Sequence, residues 1–208
     1  MKQLTEIESK KLLKQNDIPI PRGDLAKNEL EAKNLASSIY GRAVMKIVSS
    51  DIVHKSEFGG VVLNVDYHDA PIIYAELIEK AKKIGAKVDG VLIEEMLSGH
   101  EIIIGLKKDS QFGLVIMVGL GGIYAEIYKD VSFRVAPITV DDAQQMLEEL
   151  KGYKILRGIR GKEKANMTAI RNAIVNVSNL KNIIELDINP LICNSERAVA
   201  ADARILME

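Results

Sequence analysis

Hydrophobic positions recur along this chain with two different periods, and the change of period separates predicted helices from predicted strands. Apolar residues spaced three or four apart predict helices at about residues 5–16, 28–40, 69–84, 139–152 and 162–179. Continuous or alternating apolar runs predict strands at residues 43–48, 61–65, 90–97, 100–108, 113–122, 131–138, 183–193 and 197–207. The pattern therefore predicts a protein that mixes helices with a larger number of strands.

Polar residues mark the expected ends of two helices. Asn28 is followed three residues later by Glu31, which is the spacing of a capping box. Thr139 is the expected N-cap of the helix that follows it, and Gly152 is expected just past the end of that helix.

Several predicted strands follow one another directly, and this decides the fold class. Only Ser98 and Gly99 separate two of the most apolar strands, whereas other strands are joined by helices. The order of elements indicates a mixed α/β or α+β sheet rather than a purely parallel one. We expect a smaller lobe over residues 1–93 and a larger, sheet-rich lobe over residues 94–208, with a ligand cleft between the lobes.

Composition and charge exclude several classes of function. The 208 residues carry a net charge of −1, with 4% aromatic residues and no Trp, so nothing favours attraction to nucleic acid, to an anionic membrane or to stacked bases. Cys193 is the single cysteine, and its apolar neighbours predict a buried, inert thiol in a reducing compartment. No apolar run reaches the length of a membrane span. We expect a soluble cytoplasmic protein without nucleic-acid or membrane partners.

A charged residue in an apolar strand is followed by a polar, glycine-ended loop. Lys46 lies in the strand, and its ammonium either reaches solvent by snorkelling or faces a bound anion. Gly59 and Gly60 allow the backbone to approach a phosphate closely. His54 lies in the same loop, where it is either exposed polar surface or a group that accepts a phosphoryl group.

Two other segments carry candidate ligand-binding residues. Two apolar strands are interrupted by Glu94, Met96 and Glu101. Here a carboxylate can accept hydrogen bonds from ribose hydroxyls, and an extended backbone can pair with the edge of adenine. The alternative is that these acids are solvated hairpin positions. Arg134 lies in a later apolar strand, where an arginine is either a member of a buried ion pair or a bidentate phosphate ligand.

The last two strands contain the sharpest candidate site. Glu185, Asp187 and Asn189 occupy alternate positions of one strand and so share one face. If the last two strands form a hairpin, Asp202 faces Asp187 and Asn189. Carboxylate and amide oxygens suit Mg²⁺, which prefers hard oxygen ligands. The alternative is a solvated acidic face, but the flanking core residues favour the metal site.

The order of these segments resembles the ATP-grasp superfamily, and specifically the nucleotide-binding subunit of ADP-forming acyl-CoA synthetases. The resemblance covers almost the whole chain, from LTEIESKKLLKQNDIPIPRG through MKIVSSDIVHKSEFGGVVL to ELDINPLI and ADARI. The loop HKSEFGGV, taken with the order of the other segments, is its most specific part. The related succinyl-CoA synthetases share the NPL segment but have Gly and Arg where this sequence has His54 and Lys55.

The resemblance implies a two-lobed ATP-grasp fold with a nucleotide cleft, and it implies a role for each nucleotide-binding candidate. Lys46 is expected to contact the nucleotide phosphates. Glu94 and the backbone of Met96 are expected to meet the adenine of ATP or ADP, and Glu101 the ribose.

The resemblance also implies the groups that take part in phosphoryl transfer. Asn189 and Asp202 are expected to hold Mg²⁺, and Asp187 to lie beside a phosphohistidine. His54 is expected to receive a phosphoryl group transiently and to carry it between active sites. Arg134 is expected to stabilise phosphate charge.

The implied reaction converts an acyl-CoA, ADP and phosphate reversibly into the free acid, ATP and CoA. The CoA-binding region and the principal phosphohistidine are expected on a separate CoA-binding alpha subunit, in a heterotetramer with two copies of each subunit. Two other hypotheses stay open: an ATP-grasp carboxylate–amine ligase, in which His54 is dispensable, and a non-catalytic nucleotide-binding assembly subunit, which binds ADP without phosphoryl transfer.

Overall fold

The structure is a computed structural model that describes residues 1–49, 51–52, 55, 57–122, 130–159 and 163–208. In these residues the strands are β1 (Lys2–Gln3), β2 (Gly23–Ala26), β3 (Ala43–Val48), β4 (Val61–Val65), β5 (Gly90–Glu95), β6 (His100–Asp109), β7 (Gly113–Leu120), β8 (Val131–Val135), β9 (Ile183–Cys193), β10 (Ala198–Ala200) and β11 (Ala203–Met207). The helices are α1 (Glu6–Gln15), α2 (Glu29–Ser38), α3 (Ala70–Lys83), α4 (Val140–Glu149), α5 (Tyr153–Leu156) and α6 (Met167–Ser178). The predicted mixture of helices and strands is confirmed.

The chain divides into two compact units, and the division differs from the expected one at residue 93. The larger unit consists of Met1–Ile20 and Ser98–Glu208, and the smaller unit is Pro21–Leu97. The first residues join the larger unit because β1 pairs with β11 and because Leu13 and Ile18 are fully buried in its core. Sequence spacing does not reveal this long-range pairing.

The larger unit is built on an antiparallel sheet with the strand order β1-β11-β9-β6-β7-β8, and β10 also pairs with β9. Strand β9 lies between β6 on one side and β10 and β11 on the other. Its alternating positions behave as predicted, since Leu186 and Ile188 are buried while Glu185, Asp187 and Asn189 are not. The buried row packs with residues of α1, α4 and α6 in one core, so the polar row lies on the opposite face.

The smaller unit has a four-stranded antiparallel sheet in the order β2-β5-β3-β4. Met45 and Ile93 lie opposite each other on neighbouring strands and are fully buried. They form one core with Tyr74 and Leu77 of α3 and with alanines of α2. The residues adjacent to them in the strands, among them Lys46, therefore point to the other face of the sheet.

The predicted helix caps are formed. The Asn28 side chain accepts a hydrogen bond from the backbone N–H of Glu31 at the start of α2. Thr139 and Asp142 form a reciprocal capping box at the start of α4. This helix ends at Glu149, and Gly152 follows in a turn whose N–H donates to the buried Asp130. Local sequence signals thus fix these helix boundaries.

The structure differs from the predicted elements at several places. Strand β2 was not predicted, because its short edge pairing with β5 is a long-range feature that follows two prolines. The last helix begins at Met167 rather than near residue 162, because Asn166 caps it by accepting from the N–H of Ala169. The single strand predicted over 197–207 is two strands, β10 and β11, both paired with β9.

Cys193 is fully buried, as its apolar neighbours predicted, and burial raises the pKa of its thiol to about 12. Within the described residues, no helix combines the length and the apolar character needed to cross a membrane.

Because the thiolate is the reactive form of cysteine, we expect the native protein to resist alkylation by iodoacetamide at mildly alkaline pH. The same reagent should modify Cys193 rapidly in urea, as measured by mass spectrometry. Rapid modification of the native protein would contradict the buried placement.

The core of the larger unit can be tested with two variants. Ile104 is fully buried on β6, whereas Val140 on α4 is 45% exposed. The substitution Ile104→Ala is expected to lower the free energy of unfolding by about 2–5 kcal/mol because it leaves a cavity. Val140→Ala is expected to change it by less than about 0.5 kcal/mol. Urea denaturation measures both, and equal losses would contradict the packing described here.

Candidate functional site

Lys46 forms a buried ion pair with Glu94 in the smaller unit. The ammonium nitrogen of Lys46 on β3 lies 3.1 Å from a carboxylate oxygen of Glu94 on β5, and both side chains are at most 10% exposed. Both residues lie on the sheet face opposite Met45 and Ile93. The ion pair therefore explains how an ammonium is held in an apolar strand, and it brings together two of the predicted nucleotide-binding residues.

The two glycines of the predicted phosphate-binding loop have local structural reasons to be glycine. Gly59 has a φ of +71°, a conformation that favours glycine. A Cβ atom on Gly60 would lie 2.7 Å from Ile47 Cγ2, and the Gly60 N–H donates to the carbonyl of Lys55 over 2.7 Å. The predicted phosphate contact of these glycines stays a prediction. His54 lies outside the described residues.

The residues at the end of β5 are held by arginines of the same unit. Glu95 is buried and accepts hydrogen bonds from the backbone and the guanidinium of Arg22 at 3.0–3.1 Å. Met96 is 41% exposed, and its backbone N–H donates to the carbonyl of Arg42 over 3.0 Å. Because this N–H is already used, the predicted backbone contact from Met96 to adenine would be made by the Met96 carbonyl oxygen.

In the larger unit, Glu101 lies at the start of β6 beside two glycines. The N–H of Gly121 donates to the Glu101 carbonyl over 2.8 Å. A Cβ atom on Gly121 would lie 2.7 Å from Glu101 Cβ, so the close approach of the two chains requires glycine here. The Glu101 side chain is exposed, as a ribose-binding carboxylate needs to be.

The predicted hairpin of the last strands is confirmed, and it brings Asn189 and Asp202 together. The N–H of Asn189 donates to the carbonyl of Asp202 over 3.3 Å, and the N–H of Ala201 donates to the carbonyl of Pro190 over 2.9 Å. Asp202 lies where the partner of β9 is interrupted between β10 and β11. One of its carboxylate oxygens accepts from the N–H of Ala203 over 2.8 Å, which orients the carboxylate.

Asp187 lies in a cluster of acidic groups on the same face. Burial raises the pKa of the Asp187 carboxyl, and the charges of Asp202 and Glu185 raise it further, whereas Arg204 lowers it. Arg204 lies directly opposite Asp187 on β11. The sequence pattern alone does not reveal Arg204 as a neighbour of this cluster, because its position opposite Asp187 depends on the register of the hairpin.

The donor set of this cluster fits Mg²⁺. The described residues contain no group of three His, Cys, Asp or Glu side chains placed to hold a metal ion. A site with one amide oxygen from Asn189 and one carboxylate from Asp202 suits Mg²⁺, which keeps several waters and shares its coordination with substrate phosphates. The structure is therefore compatible with a metal that binds together with a nucleotide.

Arg134 lies on the other face of the same sheet. It is opposite Ile116 of β7, which is fully buried in the core. Its guanidinium forms an ion pair with Glu149 of α4 and donates to the carbonyl of Phe133 over 2.8 Å. The hydrogen bond from Arg134 lowers the pKa of Glu149. The structure does not bring Arg134 to the face that carries Asp187, and its predicted phosphate role stays a prediction.

Residues 1–207 match the family described as ATP-grasp domain. The chain belongs to this ATP-grasp family. The predicted fold class and the predicted family are thus confirmed, and the match spans both compact units.

Relatives of this ATP-grasp chain are ADP-forming acetate–CoA ligases. It is 43% identical to subunit beta of acetate–CoA ligase (ADP-forming) I of Pyrococcus furiosus, over 98% of this chain and 91% of that subunit. It is also 43% identical to acetate–CoA ligase (ADP-forming) of Methanocaldococcus jannaschii, over 97% of this chain but only 30% of that longer protein. Similarity to a beta subunit implies a partner subunit.

Solved structures of dinucleotide-forming acetyl-coenzyme A synthetase 1 from Candidatus Korarchaeum cryptofilum share this ATP-grasp fold. A complex with coenzyme A, Ca-AMPCP and HgCl⁺ has a TM-score of 0.94 and 40% identity, and the match covers 100% of this chain and 94% of that chain. A complex with coenzyme A and Mg-AMPPCP, its phosphohistidine segment pointing towards the nucleotide binding site, has a TM-score of 0.86 and 37% identity over 100% and 93%.

The role of Arg134 can be tested against its partner. If Arg134 serves the ion pair, Arg134→Gln and Glu149→Gln should each lower the free energy of unfolding by about 0.2–1 kcal/mol, because each removes the same partly exposed pair. Urea denaturation measures the losses, and both variants should retain phosphoryl transfer. Loss of transfer in Arg134→Gln alone would instead support the phosphate contact predicted from the sequence.

Proposed function

We propose that this ATP-grasp chain is the nucleotide-binding subunit of an ADP-forming acyl-CoA synthetase. The observation that carries the proposal is the meeting of Asn189 and Asp202 next to Asp187 on one face of a sheet. These are the residues that the resemblance assigns to metal binding and to phosphoryl transfer. The similarity to ADP-forming acetate–CoA ligases over nearly the whole chain supports the same function.

The residues that the resemblance assigns to the nucleotide are proposed to bind it. Lys46 contacts its phosphates, with the backbone of Gly59 and Gly60 close by, while Glu94 and Met96 meet the adenine. Glu101 accepts hydrogen bonds from the ribose hydroxyls. The ion pair between Lys46 and Glu94 supports this assignment, since it holds a cation beside the proposed adenine ligand in a buried strand.

Asn189 and Asp202 are proposed to hold Mg²⁺. The metal, when bound, supplies positive charge that offsets the charge of the transferring phosphoryl group. The backbone hydrogen bonds that fix Asn189 and the Asp202 carboxylate pre-organise these two donors.

His54 is proposed to carry the phosphoryl group. In the direction from ATP, an imidazole nitrogen of His54 forms a bond to the terminal phosphorus, the bond from that phosphorus to the bridging oxygen breaks, and ADP leaves with the electron pair. Asp187 lies beside the phosphorylated imidazole and accepts a hydrogen bond from its N–H. Such a carboxylate fixes the ring and stabilises the charge that develops on it.

A separate CoA-binding alpha subunit is proposed to complete the reaction, in a heterotetramer with two copies of each subunit. The similarity to a beta subunit supports the partner. We also place the protein in the cytoplasm, which suits its single, buried, reduced cysteine.

The test is phosphoryl transfer to protein. The chain is mixed with its CoA-binding partner, Mg²⁺ and ATP labelled at the γ-phosphate, and acid-labile label is counted on each chain. We expect label in the parent protein, and we expect His54→Ala and Asp202→Asn each to lower it by at least about 100-fold, because the acceptor or a metal ligand is lost. Removal of Mg²⁺ by a chelator should have the same effect.

Matched controls separate chemistry from general damage. His68 and Asp141 are exposed residues outside the proposed site, so His68→Ala and Asp141→Asn should label like the parent protein. A parent protein that binds ADP tightly but never becomes labelled would contradict the relay and favour the assembly subunit. Full activity in His54→Ala would favour the carboxylate–amine ligase.

A further inference from the structure

The hairpin of β9 and β11 pairs an acid with an arginine on the face that carries the proposed metal ligands. Asp187 and Arg204 lie directly opposite each other in the antiparallel register. Residues directly opposite in such a pair project from the same face, with Cβ atoms about 4.5–5.5 Å apart. Arg204 is exposed, so its guanidinium is accessible from this face.

Arg204 is the one side chain that directly opposes Asp187 from a neighbouring strand. On its other side, Asp187 is paired with Gly105 of β6, which has no side chain. A Cβ atom on Gly105 would lie 3.0 Å from Met117 Cε, so the neighbour of Asp187 is apolar toward β6 and cationic toward β11. Arg204 therefore supplies positive charge that acts on the Asp187 carboxylate from a neighbouring strand.

The charged groups around Asp187 indicate that Arg204 offsets negative charge there. Asp202 and Glu185 are the acids that act on Asp187, and Arg204 is the cation that acts on it. The neighbouring cation on this face, Lys107, lies 3.5 Å from Glu185 and opposes it in the register. Without Arg204, an incoming phosphoryl group would meet Asp187 and Asp202 with no cation on β11 to offset them.

We infer that Arg204 is a positioning residue for Asp187 in phosphoryl transfer. From the opposing strand it offsets the charge of the Asp187 carboxylate, so that Asp187 orients the phosphohistidine without repelling the phosphoryl group. This inference rests on the proposed function and adds a residue to it. Arg204 itself contacts neither the nucleotide nor the metal.

The first test compares charge removal with charge conservation. Arg204→Gln is expected to slow the labelling rate by about 10–100-fold, the loss typical of a supporting residue behind a functional ligand. The KM for ATP should stay within about threefold of the parent value, because Arg204 acts on the transfer and not on nucleotide binding. Arg204→Lys should recover most of the rate, because it restores the positive charge.

Lys107, on the same face of the sheet, provides a matched control. Lys107→Gln also removes a cation that opposes an acid of β9, but that acid is Glu185 and not Asp187. This variant should label at the parent rate. Thermal unfolding of all variants checks that each is folded. An equal loss in Lys107→Gln and Arg204→Gln would overturn the inference, because it would point to the general charge of the face.

A double-mutant cycle tests whether Arg204 acts through Asp187. In an Asp187→Asn background, Arg204→Gln should slow labelling by less than about threefold, because the group it positions is already neutral. A loss of the same size in both backgrounds would overturn the inference. The proposed function fails in a different way. If the parent protein is never labelled, the relay is absent. If the parent is labelled and Arg204→Gln is labelled at the same rate, only the role of Arg204 is contradicted.

Discussion

The register of β9 against its two neighbours is the constraint on which the larger unit depends. β9 pairs with β6 on one side and with β10 and β11 on the other, so its alternation decides what faces the helices. A shift of one residue would bury Asp187 and Asn189 and expose Leu186 and Ile188. Because burial of a charged group without partners costs far more than burial of an apolar one gains, this register is strongly preferred. The same preference that forms the core therefore also presents the polar face.

The interruption of the strand beside β9 turns that polar face into a site. In a continuous partner strand, every residue beside β9 would belong to the sheet. The break between β10 and β11 instead leaves Asp202 in the turn between these two strands. Backbone hydrogen bonds from Asn189 to Asp202 and from Ala201 to Pro190 fix the geometry of this break. Two oxygen-bearing side chains of one hairpin are brought together by main-chain contacts, and the Asp202 carboxylate is oriented by the N–H of Ala203.

Two ion pairs and one acidic cluster of this protein show how position separates structural support from chemistry. Lys46 and Glu94 are buried, where desolvation costs several kcal/mol per ion and an ion pair alone is weak support for stability. Arg134 and Glu149 join a strand to a helix on the covered face, where a partly exposed pair contributes about 1 kcal/mol or less. Asp187 and its neighbours occupy the opposite face of that sheet, where Glu185 and Asn189 are exposed. Sequence alone presents Lys46, Arg134 and Asp187 alike, as charged residues in apolar strands.

The sequence by itself determined the types of the longer elements, the caps at Asn28 and Thr139, and the shared face of alternate residues in β9, because these depend on neighbours a few positions apart. It also carried the family, through the order of its segments. Only the tertiary structure decided that the first 20 residues join the larger unit, that Arg134 lies on the covered face, and that Arg204 opposes Asp187. Each of these depends on which strands pair and in which register, and packing between distant segments sets that pairing.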